Sequence, residues 1–302
     1  MRIATGLDTE GSLDTTLARA RALAAMGLCD LWSSQIFGPD TLTVLAIVGR
    51  EVPTLNLGTA VVPIQPRHPA MLAAQARTVQ DAIGGHLSLG VGLSHQVVVE
   101  NLWGLPFDKP ASYMGEYLEI LAPMLRGETV NFHGEIFNVV SPGAVGPKGA
   151  GTPDLIVAAL GPRMLKFAGA LTQGTATWMT GPKTISSHVA PVINEAAAQA
   201  GRPAPRIICA LPVVVTLDVA GARERTDEAL KVYPTLPSYA AMMAREGATA
   251  PSDLAVIGSP EQVRDHIGRI SECGATEFSA NVGGSAEERE ATLTLLAELA
   301  SS

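Results

Sequence analysis

Short apolar runs recur along this chain, and between them lie longer stretches whose apolar residues repeat at helical spacing. No other feature restricts the possible folds so strongly, because parallel strands need long crossover connections and helices supply them. The first run is residues 2–6. Ser12 then stands where an N-cap belongs, ahead of Leu13, Leu17, Ala20, Leu23 and Ala24, and the pattern stops at Gly27. Residues 30–33 predict a second strand and 41–50 a second helix. Residues 55–62 predict a third strand, and 70–83 a helix that begins after Pro69. A fourth strand follows at 87–91, then a helical stretch broken over 103–110 and resumed over 113–125.

There the rhythm changes. Residues 129–139 alternate around a central glycine (Val130, Phe132, His133-Gly134-Glu135, Ile136-Phe137), which predicts an inserted β-hairpin. A Gly/Pro-rich loop over 141–153 leads to strand five at 154–158 and a helix from Pro162. Strand six is expected at 175–177, a helix at 183–200 and a long strand seven at 206–217. The helical stretch 220–246 carries Tyr233-Pro234-Thr235-Leu236-Pro237, as an insertion over the end of a domain would. A helix at 260–273, strand eight at 276–282 and a helix at 286–300 close the chain. Eight strands with helical crossovers predict an α/β fold, a parallel (β/α)₈ TIM barrel, as one domain over residues 1–302. It carries two insertions: the hairpin after the strand-four region and the helical segment after strand seven. A doubly wound open sheet is the competing architecture, but no Gly-x-Gly-x-x-Gly follows the first strand.

Composition agrees with a large buried core, since 47% of residues are hydrophobic and 17% charged. Net charge is −8 and no run of Lys and Arg forms a basic face, so nucleic acid and anionic membranes are not expected partners. The first residues lack the apolar core of a signal peptide, and no uninterrupted apolar span is long enough for a membrane helix. Cys29, Cys209 and Cys273 are far apart and set among apolar neighbours, which fits reduced thiols better than disulfides or a zinc site. A cytoplasmic protein is the expectation.

In such a barrel the chemistry sits just past the C-terminal ends of the strands. That rule selects Leu7-Asp8, Ser34-Gln35, Val61-Val62-Pro63, Gly92-Leu93-Ser94-His95, Ala159-Leu160-Gly161-Pro162, Trp178-Met179-Thr180, Leu217-Asp218 and Asn281-Val282-Gly283-Gly284. Glycines in Leu89-Gly90-Val91-Gly92 and in Leu160-Gly161 fit either close approach by a ligand or a sheet that needs small residues where it bends. His95 is the titratable group best placed for proton transfer; the competing reading makes it a helix cap. His68 fits a role in fixing its own loop, and His86, His133, His188 and His266 fit surface or structural roles. No metal-ligand spacing and no Gly-x-Ser-x-Gly elbow is present, so neither a metal centre nor a serine hydrolase is expected.

Seven segments, in order along nearly the whole chain, resemble the luciferase-like oxidoreductases, and the coenzyme F420-dependent branch in particular. They are Leu57-Gly58-Thr59-Ala60-Val61, Arg67-His68-Pro69, Leu89-Gly90-Val91-Gly92, Tyr117-Leu118-Glu119-Ile120-Leu121, Gly134-Glu135-Ile136-Phe137, Ala158-Ala159-Leu160-Gly161-Pro162 and Ile257-Gly258-Ser259-Pro260-Glu261-Gln262-Val263. The resemblance implies a single luciferase-like TIM-barrel domain that binds F420, or alternatively FMN, at its C-terminal mouth. It implies a cis peptide at Ala60-Val61 backing the cofactor ring, with Val62 and Pro63 beside it. Gln35, Leu93 and Ser94 would meet the ring's edge; Ala159, Leu160, Gly161, Trp178, Met179 and Thr180 would meet the phosphate side.

Relatives that oxidise sugar phosphates carry a His after strand two and a Glu after strand four, where this chain has Ile36 and His95. The resemblance therefore implies a different acid or base, His95, in a reductase or dehydrogenase acting on a small organic molecule. An FMN monooxygenase fed by a partner reductase and a non-catalytic flavin-binding barrel are the alternatives. A homodimer is the expected assembly.

Overall fold

A computed structural model describes residues 1–35 and 37–301; Ile36, singled out above, lies outside the described residues. The strands are β1 (Arg2–Gly6), β2 (Asp30–Ser33), β3 (Asn56–Thr59), β4 (Val62–Pro63), β5 (Leu87–Gly92), the hairpin β6 (Asn131–His133) and β7 (Asn138–Val140), β8 (Asp154–Ala158), β9 (Gly174–Trp178), β10 (Arg206–Val215), β11 (Val256–Gly258) and β12 (Glu277–Val282). Parallel pairing runs β1–β2–β3–β5–β8–β9–β10–β12 and returns to β1, so the sheet closes on itself. The open-sheet alternative is excluded.

Around it lie α1 (Leu13–Ala25), α2 (Thr41–Glu51), α3 (Pro69–Ala82), α4 (Gln96–Asn101), α5 (Pro110–Leu125) and α6 (Pro162–Leu171). The second half adds α7 (Pro182–Thr184), a π-helical turn, α8 (Ala190–Gln199), α9 (Val219–Ala229), α10 (Pro237–Glu246), α11 (Pro260–Glu272) and α12 (Ala286–Ala300). Ser12 caps α1 as its position predicts, accepting from the Thr15 N–H at 3.2 Å. His68 caps α3 through Nδ1, which accepts from the Ala70 N–H.

Strand alternation sorts the barrel's side chains into two sets. Leu31, Leu57, Leu89, Leu155 and Ile207 join the main core beneath the helices. Ala4, Trp32, Ile156 and Ile208 form a separate cluster inside the barrel, with Ala60 and Ala176 against it. The inward positions at the strands' N-terminal ends are charged. There Arg206 donates to Asp154 (2.8 Å), Glu277 (2.8 Å) and Ser88 (2.9 Å), and the Trp32 indole donates to Glu277. Toward the C-terminal ends many inward positions are small (Gly6, Ala60, Gly92, Ala158 and Ala210), with Trp178 on β9, Pro212 and Val214 on β10 and Asn281 on β12 the larger ones.

Three details differ from the sequence expectation. The third strand is not continuous over 55–62: it stops at Thr59 and resumes as β4, which pairs with β5 through Val62↔Val91 and Pro63↔Gly92. The insertion after β10 is two helices, α9 and α10, joined through a 3₁₀ turn at Tyr233–Thr235. It then returns to the sheet as β11, which runs along β10 through Val213↔Val256 to Val215↔Gly258, beyond the point where β9 ends. That strand was hidden because it is only three residues long and leads straight into the α11 cap. No helix among the described residues is long and apolar enough to cross a membrane.

Candidate active site at the barrel mouth

The break between β3 and β4 builds the floor of the mouth. The Ala60-Val61 peptide is cis, as the family resemblance implies. The Ala60 N–H donates to Ser33 O at 2.8 Å and the Gln35 N–H donates to Val61 O at 3.3 Å, which ties the bulge to β2 and the loop behind it. On the other side the bulge leans on β5. A Cβ at Gly92 would sit 2.7 Å from Val61 Cγ2, and one at Gly90 only 1.8 Å from Thr59 O. Thr59 Oγ1 donates to Gly90 O (2.7 Å) and accepts from Gly90 N (2.8 Å). The glycines of β5 are therefore explained by packing against the bulge, and Gly161 is different: a Cβ there would meet open space.

The residues singled out in the sequence separate into two groups. Ala60, Val61, Leu93, Ser94, Leu160, Gly161 and Trp178 are only part-buried and ring the hollow at the strand ends. Gln35 is part-buried too, yet its Oε1 is engaged by Arg67 (3.0 Å) and by the Thr41 N–H that opens α2 (3.3 Å). Val62, Pro63, Ala159, Met179 and Thr180 are buried, so their side chains support the mouth from behind. For Ala159 the reason is parity: Ala158, one residue earlier, is the inward position of β8. Met179 and Thr180 shape the turn after β9. Met179 takes a left-handed φ of 52°, and Thr180 Oγ1 donates back to Trp178 O. Behind them Cys209 is fully buried, and burial pushes its thiol up to about 12, which leaves it inert.

His95 occupies the N-cap position of α4 with extended backbone, but its side chain makes no capping hydrogen bond. Its ring instead packs against Tyr239 of α10, with centroids 5.9 Å apart. Burial lowers its pKa below the ordinary histidine value, so the ring is neutral at pH 7. Tyr239 stands edge-to-face on Tyr233 (4.9 Å, 88°), and Tyr233 meets Trp178 at 5.9 Å. Both tyrosines were missed as site residues. Their signal was the proline-flanked Tyr233-Pro234-Thr235-Leu236-Pro237 break in the insertion.

Gln65, also missed, accepts from the Ser94 N–H through Oε1 (3.3 Å), while its buried Nε2 has no partner. Gly161, the N-cap of α6, brings no side chain to satisfy the helix's first-turn N–H groups, and Pro162 occupies N1. Among nearby cations Arg67 is committed to Asp40 at 2.7 Å, whereas Arg163 and Lys183 are exposed. A cleft of about 710 Å³ lies elsewhere, outside the barrel, between α7, α10 and α11. It is open, and its acid Glu246 is already bonded to the Thr184 N–H and hydroxyl, so the mouth is the better candidate for chemistry. No group of three or more His, Cys, Asp and Glu among the described residues is arranged to hold a metal.

This arrangement is a closed (β/α)₈ barrel in which the candidate residues gather at the C-terminal ends of the strands. The luciferase-like monooxygenase family model matches residues 1–277, and the chain belongs to that family. It is 33% identical over 144 residues to a 5,10-methylenetetrahydromethanopterin reductase of Archaeoglobus fulgidus. That match covers 47% of this chain and 41% of the relative, so less than half of the relative's length is spanned. An F420-dependent secondary alcohol dehydrogenase, solved with an F420-acetone adduct, shares the fold at TM-score 0.81, with 15% identity over 99% of this chain and 98% of that one. An EDTA monooxygenase from Chelativorans does so at TM-score 0.80, with 15% identity over 100% and 93%.

Proposed function

We propose that this protein is an oxidoreductase that binds the deazaflavin coenzyme F420 in the barrel mouth and acts on a small organic molecule. The observation that carries the reading is the small, part-buried surface at the mouth: Ala60, Val61, Ala158 and Leu93, backed by the cis bulge, with Trp178 and Asn281 the larger side chains at other strand ends, leave a hollow there. A flat tricyclic ring fits such a surface, and Gly92 allows the bulge that supports it. The exposed first turn of α6, with Gly161 as cap, suits the cofactor's phosphate. The exposed Arg163, in the first turn of α6, suits its acidic tail.

When bound, the deazaflavin would supply a hydride to the substrate or accept one from it. The chain's own contribution is to hold ring and substrate in register, exclude water beneath the α9–α10 insertion, and deliver or take up a proton at the ring nitrogen of His95. Gln65 Nε2 is a free donor beside that histidine's loop, available to a cofactor or substrate carbonyl. With a small-molecule substrate, an acidic net charge of −8 and no basic face, the reading is of a cytoplasmic enzyme working without nucleic acid or membrane, as a homodimer.

Titrating the purified protein with F420 and with FMN, followed by fluorescence, tests the assignment. Tighter F420 binding that weakens as salt rises is expected. Equal or tighter FMN binding moves the flavin monooxygenase reading into first place.

A further inference from the structure

The four rings His95, Tyr239, Tyr233 and Trp178 form an unbroken row. Its ends belong to the barrel: His95 follows β5 and Trp178 ends β9, with β8 between them. Its middle belongs to the insertion, since Tyr233 opens the 3₁₀ turn and Tyr239 lies in the first turns of α10. The row thus spans the mouth above the end of β8, next to the hollow lined by Ala60 and Ala158.

The row is also uncharged. Burial alone shifts His95 toward its neutral form, and no carboxylate or cation contributes to that shift. Burial likewise raises both tyrosine hydroxyls, with Trp178 opposing at Tyr233 and Tyr233 reinforcing at Tyr239. A wall of neutral aromatic faces and edges favours flat apolar groups; its one buried donor without a partner is Trp178 Nε1, and it offers no opposite charge to repay the lost water of an ionised group.

We propose that this row is the specificity wall of the site and that it selects a flat, uncharged substrate with an aromatic or similarly conjugated ring. Tyr233 and Tyr239 are the residues that determine the selection, and the substrate ring lies against them with its reacting carbon toward His95. The proposal rests on the mouth being the reaction site, and its test separates the two.

Three probes share one unsaturated ketone and differ in the group attached: benzylideneacetone carries a phenyl ring, 4-carboxybenzylideneacetone carries the same ring with a charge, and 3-penten-2-one carries a methyl. Each is titrated by calorimetry into protein saturated with whichever of F420 or FMN it binds, or into apoprotein if it binds neither. The neutral aryl probe is expected to bind at least tenfold more tightly than the other two. Tyr239→Leu and Tyr233→Leu should each cut that preference several-fold, and Tyr239→Phe, which keeps the ring, should retain it. Equal affinity for the three probes in the wild-type protein overturns the proposal. So does an aryl preference that survives both leucine changes. Because wild type and Tyr239→Phe already decide the matter, a leucine variant that fails to fold does not protect it. Loss of cofactor binding alongside an intact aryl preference would count against the cofactor assignment and leave the wall standing.

Discussion

The two ends of the barrel are built on opposite principles. At the N-terminal end the inward positions carry Arg206, Glu277, Asp154 and Ser88, joined by charged hydrogen bonds of 2.8–2.9 Å and packed on Trp32. Glu277 is 2% exposed there, and its charge is met by Arg206, by the Trp32 indole and, at 3.9 Å, by Arg2. At the C-terminal end most inward residues are glycine and alanine, with Trp178, Pro212 and Asn281 the larger ones, and donors such as Gln65 Nε2 have no partner. At one end the charges are paired within the chain, with Arg206 Nε the one buried nitrogen of that cluster left without a partner. The other end is lined by small residues and carries the donors that the proposed cofactor would meet. A fold of this kind separates stability from function along its axis, and changes at either end should therefore show up in different measurements.

The largest effect is expected at the filled end. Arg206→Met leaves the buried Glu277 with only the longer Arg2 contact at 3.9 Å in place of its close cation, a loss of about 3 kcal/mol or more. Melting should fall by several degrees while cofactor affinity stays within about twofold of wild type. A large loss of cofactor affinity in a protein that melts normally would break the separation between the two ends.

At the hollow end the pattern should reverse. His95→Ala is expected to lower kcat by roughly 10²-fold, with cofactor Kd and melting temperature nearly unchanged. Its ring makes no capping bond to α4, so no cap is lost with it. Unaltered turnover would reduce His95 to a packing partner of Tyr239.

The smallest expected effect is a pH dependence. Burial lowers the folded-state pKa of His95 below the ordinary 6.5, so the unfolded chain takes up a proton first as pH falls. The stability associated with the neutral ring is present above pH 6.5 and is lost as pH drops through the folded-state pKa. His266 is shifted the same way, with burial the main cause, so the wild-type protein loses stability through both groups. Denaturation midpoints measured between pH 5 and pH 7.5 should thus fall less steeply with acid in His95→Gln than in wild type. Identical slopes would mean that His95 is solvated.

Much of the barrel was legible in the sequence because its signals are local. Caps such as Ser12, the run 87–91 and the proline at the start of α6 each mark an element without reference to the rest of the chain. The site was legible to the nearest strand end and no finer. Sequence position alone did not tell Ala158 from Ala159, because which of two neighbours faces inward depends on register with β5 and β9. Nothing near Arg67 in the sequence announces that Asp40, 27 residues away, pairs with it at 2.7 Å. Gly90 and Gly92 suggested a ligand's approach and turned out to accommodate Val61 and the Thr59 carbonyl. Tyr233 and Tyr239 lie in an insertion after β10, and only the folded chain brings them to His95 and Trp178.

The hollow is the central claim, and filling it is the most direct test. Ala158 is inward, part-buried and next to the bulge, since a Cβ on Gly92 would meet its methyl at 3.2 Å. Wild type and Ala158→Phe should be titrated with F420 and FMN while their melting temperatures are recorded. The expected result is cofactor binding by wild type and a loss of roughly 10²-fold or more in Ala158→Phe, with melting little changed or raised because an open space has been filled. Undiminished binding in the filled variant, or failure of the wild-type protein to bind either cofactor, would contradict the placement of the ring at this mouth.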